Sequence, residues 1–289
     1  MGTPSRPVGS ARACIAAGLK RELERSLGGR PPLLMRRMKY DHLPDLPPLE
    51  EVKHETTMPN AQAAAYSAAI EEARGADRRG AVLKALQQLR SISLHPDADA
   101  DQGDEAFINA SARLIASFKV LDDIHQRGER VLIFVEDLSL QPRLASIIQR
   151  RYRLLAPPML INGGVSGASR QARVDRFQQG PDGFDAMILS ARAGGVGLTL
   201  TRANHVIHLS RWWNPAVEDQ CTGRVLRIGQ TRPVTIHLPL AVLPGGRTSF
   251  DQNLQALLDR KRNLMKAALI PTEETDGEHR EVLDACLAE

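Results

Sequence analysis

Gln220, Arg224 and Arg227 stand in the run QCTGRVLRIGQ, residues 220–230. Their spacing of i, i+4 and i+7 puts them on one face if the run is helical. Asn214-Pro215 supplies an N-cap and a proline for the first helical position, and Gly229 supplies a stop. A helix over 214–228 is therefore predicted. Two guanidinium groups and an amide on one face make a cationic fork suited to a phosphate chain or a transferring phosphoryl group. The same spacing also describes a solvated helix with two ordinary arginines, and spacing alone does not separate the two.

The elements that would position this helix lie just upstream. Ser190-Ala191-Arg192-Ala193-Gly194-Gly195-Val196-Gly197-Leu198 follows an apolar run at 186–189 that reads as a short buried strand. Three glycines in four positions let the backbone approach a ligand closely. Loops of this kind can turn N–H groups toward an anion. A second strand is predicted over 205–209, leading into Ser210-Arg211-Trp212-Trp213-Asn214-Pro215. Strand, glycine loop, strand, aromatic loop and arginine helix follow one another without a break.

The run SARAGGVGLTLTRANHVIHLSRWWNPAVEDQCTGRVLRIGQTRPV closely resembles the second motor lobe of Swi/Snf-type double-stranded DNA translocases, in helicase superfamily two. SARAGGVGLTL resembles the family's fifth motif and QCTGRVLRIGQ its sixth. RVLIFVE (130–136) resembles the fourth, and GGVSGASRQARVDRFQ the helix after it. LLMRRMKYDHLPDLPP (33–48) resembles the segment that joins the two lobes, and LRSISLHP (89–96) a helical landmark beyond it. The resemblance covers roughly residues 33–270. It implies an α/β fold, a RecA-like parallel sheet with helices on both faces, preceded by a mainly helical linker region. It implies Arg224 and Arg227 as catalytic arginine fingers, with Gln220, Gly195 and Gly197 at the nucleotide. For the DNA backbone it implies Gly163, Gly164, Ser166, Arg170, Ser190, Arg192, Gly194 and Trp213. ATP with Mg²⁺ would be bound mainly by an N-terminal RecA-like lobe, supplied in cis or in trans, and double-stranded DNA would be the partner. Four positions depart from the family. Gly223 stands where an acid is usual, Leu226 where a histidine is common, and Ser210-Arg211 where an acid and a proline are common.

Half of such a motor is not written in these residues. The first lobe carries G-x-x-x-x-G-K-[ST], and this chain has no Gly-Lys pair. Asp104-Glu105-Ala106-Phe107 imitates the Mg²⁺-binding acidic box by letter. It follows a polar, turn-like stretch, so it reads instead as a helix N-terminus, where acids suit the macrodipole. The expectation is thus a second motor lobe, inactive without a first. The alternative is a non-catalytic nucleic-acid-binding or regulatory module that kept the fold. An RNA-directed helicase is a third reading, and RIGQ speaks against it.

Composition fits these readings. The 289 residues carry a formal charge of +4, with 42% hydrophobic and only 4% aromatic residues, so the core must be aliphatic. Seven arginines fall between 143 and 176 against one acid, and six between 192 and 232 against Glu218 and Asp219. Clustered positive charge is the footprint expected opposite a phosphate backbone. Cys14, Cys221 and Cys286 are far apart and odd in number, which suits a reducing compartment. His205 and His208 would point to opposite faces of a strand, so no metal site is expected there. No run reaches the length of a membrane span. Alanine and arginine usage suggests a bacterial, nucleoid-associated cytoplasmic protein; a eukaryotic source would make it nuclear.

The organisation expected is an N-terminal helix and connector over 1–57 and a helical linker or protrusion over 58–127. A RecA-like lobe over 128–242 and a helical tail over 243–289 complete it. Strands are predicted at 131–135, 158–161, 186–189, 205–209 and 234–240. Helices are predicted at 141–151, 169–178, 214–228 and 250–268. Strands alternating with helices argue for a parallel sheet covered on both faces, with ligands at the carboxyl ends of the strands.

Overall fold

A computed structural model of the chain describes residues 46–74, 79–191, 197–267 and 275–288. Its strands are β1 (Leu49–Thr57), β2 (Arg130–Phe134), β3 (Met159–Ile161), β4 (Asp185–Leu189), β5 (His205–His208) and β6 (Val234–Val242). The helices are α1 (Asn60–Ala73), α2 (Arg79–Leu94), α3 (Asp104–Asn109), α4 (Ala112–Gln126), α5 (Leu140–Arg151), α6 (Gly167–Gln179), α7 (Pro215–Thr222), α8 (Phe250–Ala267) and α9 (Asp276–Leu287). The strands form one sheet in the order β1-β6-β5-β2-β4-β3, and every pairing is parallel. The expected RecA-like sheet is present. Among the described residues no helix is long and apolar enough to cross a membrane.

A strand buried on both faces must be apolar at every position. β2, β4 and β5 follow this except at their ends, where Arg130, Asp185, His205 and His208 stand, and their apolar residues divide by parity between two cores. Val131, Ile133, Ala186, Ile188 and Ile207 face α4 and α5. Leu132, Phe134, Met187, Leu189 and Val206 face α6 and the segment after α7, through Val174, Phe177, Cys221, Val225 and Leu226. A third core joins α1, α2, α8 and α9 around Tyr66, Leu89, Phe250 and Leu283. α4 is started by Ser111, whose side chain accepts from the Leu114 N–H. Asp104 and Glu105 occupy the first turn of α3, as the sequence reading held.

β1 is the element the strand reading lacks. Leu49–Thr57 pairs with β6 over its whole length, from Leu49 opposite Val234 to Thr57 opposite Val242. It is an edge strand, and edge strands tolerate charge. Lys53 meets Asp259 at 3.0 Å and Glu51 meets Arg262 at 3.6 Å, both on α8. The predicted helix over 214–228 is also corrected. α7 ends at Thr222, with Gly223 as its C-cap. The N-terminal helix expected ahead of the connector lies outside the described residues.

The layers are tied together by a buried ion pair. Arg113 of α4 donates from Nε to Asp251 of α8 at 2.7 Å, and from its other nitrogens to the second Asp251 oxygen and to the Leu209 carbonyl. The same carboxylate accepts the Ala241 N–H at 2.8 Å. Side-chain exposure is 1% for Arg113 and 0% for Asp251. Removing one member leaves the other charge buried without its partner. Asp251→Ala should therefore cost about 3–5 kcal/mol in urea denaturation. A loss under about 1 kcal/mol would show that the pair does not hold the layers.

Candidate functional site

The site is assembled where the strands end. Val135 continues β2, donating its N–H to the Leu189 carbonyl, and Ser210 donates to the Phe134 carbonyl. Ser190, buried beyond β4, donates to the Ile161 carbonyl at 3.0 Å. Glu136 then acts as a post for two loops. Its carboxylate accepts the Ala191 N–H at 2.7 Å, and its own N–H donates to Ser210 Oγ at 3.0 Å. The glycine loop thus leaves the sheet from a fixed point. Arg192, Gly194 and Gly195, all named in the sequence reading, lie outside the described residues; the loop is followed again from Gly197.

The arginine segment closes on that loop from the other side. Leu200 donates its N–H to the Arg224 carbonyl at 2.9 Å. Arg227 donates to the Gly197 and Leu198 carbonyls and to Thr199 Oγ1, at 2.9–3.0 Å. Gln230, which sequence reasoning passed over, is the organiser. Its amide nitrogen reaches the Thr201, Ala203 and Val225 carbonyls, and its oxygen accepts the Thr231 and Arg232 N–H groups. Gly229 completes the turn at φ 98°, a conformation that glycine adopts readily.

The predicted common face of Gln220, Arg224 and Arg227 does not form. Gln220 is exposed in the last turn of α7, while the two arginines lie in the turns beyond it. Arg224 is 5% exposed, and its Nε is buried without a hydrogen-bond partner among the described residues. Burial lowers the Arg224 guanidinium from its ordinary value, the Cys221 thiolate form opposing this and Arg227 adding to it. The neighbouring Cys221 thiol is itself pushed up to about 12, chiefly by burial. A buried guanidinium short of one partner is a ready receptor for an anion.

The remaining candidates are spread along the same end of the sheet. Gly163, Gly164 and Ser166 are exposed in the β3–α6 loop. Ser166 caps α6 by accepting the Ser169 N–H. Arg170 donates to the Val165 carbonyl at 3.2 Å, turning it back on that loop. The upstream arginine cluster is used differently from the expectation. Arg143 lies 3.6 Å from the Phe107 ring centroid and donates to the Ala98, Ala100 and Gln102 carbonyls. Arg150 pairs with Asp104, and Arg151 with Glu105 and Asp122. These three fasten α5 to α3 and α4.

Both tryptophans are half-buried and pack against core clusters. Trp213 meets Phe250 and His279 edge-on at 5.9 and 4.6 Å, and its carbonyl accepts Lys261 Nζ. Trp212 meets Phe134 and His208 edge-on at 6.5 and 5.9 Å. Together they line a cavity of about 840 Å³ with Leu86, Arg90, Glu136 and Asp137. Arg211, between Ser210 and the aromatic pair, is fully buried on Glu218 at 2.7 Å, and Arg262 of α8 holds the same carboxylate at 2.8 Å. Burial alone would raise the Glu218 carboxyl, but chiefly Arg211 keeps it well below the usual carboxylate range.

A parallel sheet with a glycine loop and paired arginines at its carboxyl end defines a RecA-like helicase lobe. Residues 116–229 match the helicase conserved C-terminal domain. The chain is 34% identical over 262 residues to Zorya protein ZorD of Escherichia coli O139:H28, covering 85% of this chain and 24% of that protein. It is 30% identical over 243 residues to the putative ATP-dependent helicase/translocase YwqA of Bacillus subtilis, covering 81% and 25%. The Sulfolobus solfataricus SWI2/SNF2 ATPase core in complex with dsDNA superposes with a TM-score of 0.63 at 30% identity, over 81% of this chain and 49% of that one. The chain belongs to the Swi/Snf-type branch of helicase superfamily two, as its C-terminal lobe. It spans about a quarter of the length of these two curated relatives.

The packing of the tryptophans assigns them to stability first. Trp213→Ala and Trp212→Ala should each cost about 3 kcal/mol or more, read by thermal or urea unfolding. Unchanged melting in either variant would remove that ring from the core.

Proposed function

We propose that this chain is the second motor lobe of an ATP-dependent translocase on double-stranded DNA, completed by a first RecA-like lobe that carries the phosphate loop and Mg²⁺. The observation that supports this most is Arg224, a buried guanidinium short of a partner beside the glycine loop. Arg224 and Arg227 supply positive charge to the γ-phosphoryl oxygens when the lobes close, and Gln220 contacts the nucleotide from the exposed end of α7. Arg227 exchanges its present carbonyl partners for phosphate in that step. Gly195 and Gly197 serve as the nucleotide contacts of the glycine-rich run. Gly163, Gly164, Ser166, Arg170, Arg192 and Gly194 track the DNA backbone, with buried Ser190 supporting the start of the glycine loop and Trp213 holding the loop that couples the two. Backbone contacts of this kind position DNA without reading its sequence.

The rival is a binding or regulatory module without turnover. Two observations favour it: α7 stops at Thr222, and Arg227 Nη1 is already held by carbonyls. Mixing decides between them. The purified chain alone should not hydrolyse ATP. With a first lobe bearing G-K-[ST] and with duplex DNA, turnover should appear. Arg224→Ala or Arg227→Ala should then lower it by about 10³-fold. Near-normal rates in both variants would reject the fingers, and DNA binding without turnover in any mixture would favour the rival.

Duplex binding by the lobe should be weak, indifferent to sequence and steeply weakened by salt, because bound phosphates release counterions. Arg170→Ala should reduce the slope of log K against log salt by about one. Arg150→Ala should leave the slope alone, since that guanidinium is engaged by Asp104. Binding that is sequence-selective and survives high salt would contradict this.

A further inference from the structure

Three histidines and a carboxylate form a continuous line across three neighbouring strands. His54 Nε2 of β1 lies 3.0 Å from His237 Nδ1 of β6. His237 Nε2 lies 3.1 Å from His205 Nδ1 of β5, and His205 Nε2 lies 2.8 Å from Glu129, in the turn before β2. The second Glu129 oxygen accepts from Asn204 Nδ2 at 2.8 Å. His205 and His237 are buried, and His54 is half-buried at the edge strand. α4 packs on β6 and β1.

Chemistry fixes the direction of this line. An ionised carboxylate only accepts hydrogen bonds, and a neutral imidazole has one donor and one acceptor nitrogen. Glu129 therefore requires the His205 proton on Nε2, leaving Nδ1 to accept. His237 must then donate from Nε2 and accept at Nδ1, and His54 must donate from Nε2. All three rings are set in the same tautomer by one carboxylate, and the free acceptor is His54 Nδ1.

We propose that this line is a proton-accepting latch that holds β1 on the sheet, takes up one proton at His54 Nδ1 and passes its charge inward to His205. The balance closes with every bond retained. His54 gains a proton at Nδ1 and gives its Nε2 proton to His237 Nδ1. His237 gives its own Nε2 proton to His205 Nδ1. His205 is then the imidazolium, beside the Glu129 carboxylate. A second proton finds no free ring nitrogen, so it must either break a ring–ring bond or neutralise Glu129. Lys119 of α4, with Arg127 and Arg232, opposes positive charge here, while Asp123 and Glu129 favour it.

Burial is the main force on all three rings. It lowers His54 and His205 and pushes His237 down to about 3, while the Glu129 carboxyl, raised by burial, is brought below its usual range by His205 and Asn204. The folded values lie below the unfolded one. The stability contributed is therefore complete above the ordinary histidine value of about 6.5 and is lost as pH falls from there toward the folded values. β1 has β6 as its strand neighbour and follows the segment that resembles the inter-lobe connector. The latch thus sits where the chain enters the lobe, and it stands independently of the motor reading.

The test uses the full chain with ¹⁵N-labelled histidine. At pH 7.5, long-range proton–nitrogen spectra should show Nε2-protonated neutral rings for residues 54, 205 and 237. Couplings should cross the 54–237 and 237–205 bonds. Between pH 7.5 and 5.0, the half-buried variant His54→Gln, which keeps a donor but takes no proton, should lose less Tm than the parent, by about 2 °C or more. An Nδ1-protonated ring at any of the three positions at pH 7.5 would overturn the proposal. So would a His54→Gln melting profile with the parent's pH dependence.

Discussion

A guanidinium removed from water must find its partners inside the protein. Two carboxylates meet that demand here, and the functional end of the sheet depends on them. Asp251 holds Arg113, which in turn holds the carbonyl at the end of β5. Glu218 holds Arg211 in the aromatic loop and Arg262 on α8. Arg90 of α2 adds a bond to the Arg211 carbonyl. The strand end, the aromatic loop, α7 and the C-terminal helix are therefore fixed to one another by charge as well as by packing. An aliphatic core supplies cohesion, but it is non-directional. The ion pairs set where each loop leaves the sheet.

The glycine loop and the arginine segment behave as one piece for the same reason. Arg227 and Gln230 spend their donors on carbonyls between 197 and 203, and the Arg224 carbonyl closes the ladder to Leu200. The two segments are joined by bonds of about 3 Å. The Arg224 side chain has no hydrogen-bond partner at Nε among the described residues, nor has the Glu218-bound Arg211 at Nη1.

Much of this was legible in the chain. The apolar runs that became β2, β4, β5 and β6 are too short and too uniform to be anything but buried strands. Asn214-Pro215 announced α7, and the acids at 104–105 announced α3. β1 escaped because LEEVKHETT has only Leu49 and Val52 as apolar residues and otherwise alternates charged residues with His54 and Thr56, which suits an edge strand braced by α8 but carries little hydrophobic signal. The end of α7 escaped because helical periodicity runs on through Arg224 and Arg227, whereas the Arg224 carbonyl accepts the Leu200 N–H and Arg227 donates to the Gly197 and Leu198 carbonyls from turns. The arginines at 143, 150 and 151 were read as a surface field. Their partners are distant in sequence, at 98–105 and 122, so composition could not show that they are internal ties. Glu136 and Gln230 matter through backbone bonds that no residue pattern announces.

The two glycines that bracket the arginine segment carry different kinds of information. Gly229 sits at φ 98°, where any side chain would be strained, so its identity is a requirement of the turn. Gly223 sits at φ −62° and ψ −3°, a conformation open to every L-residue. Its backbone gives no reason for glycine where the family usually carries an acid. The departure at 223 is therefore unconstrained by backbone conformation, and a side chain there needs no change in the φ and ψ of the turn.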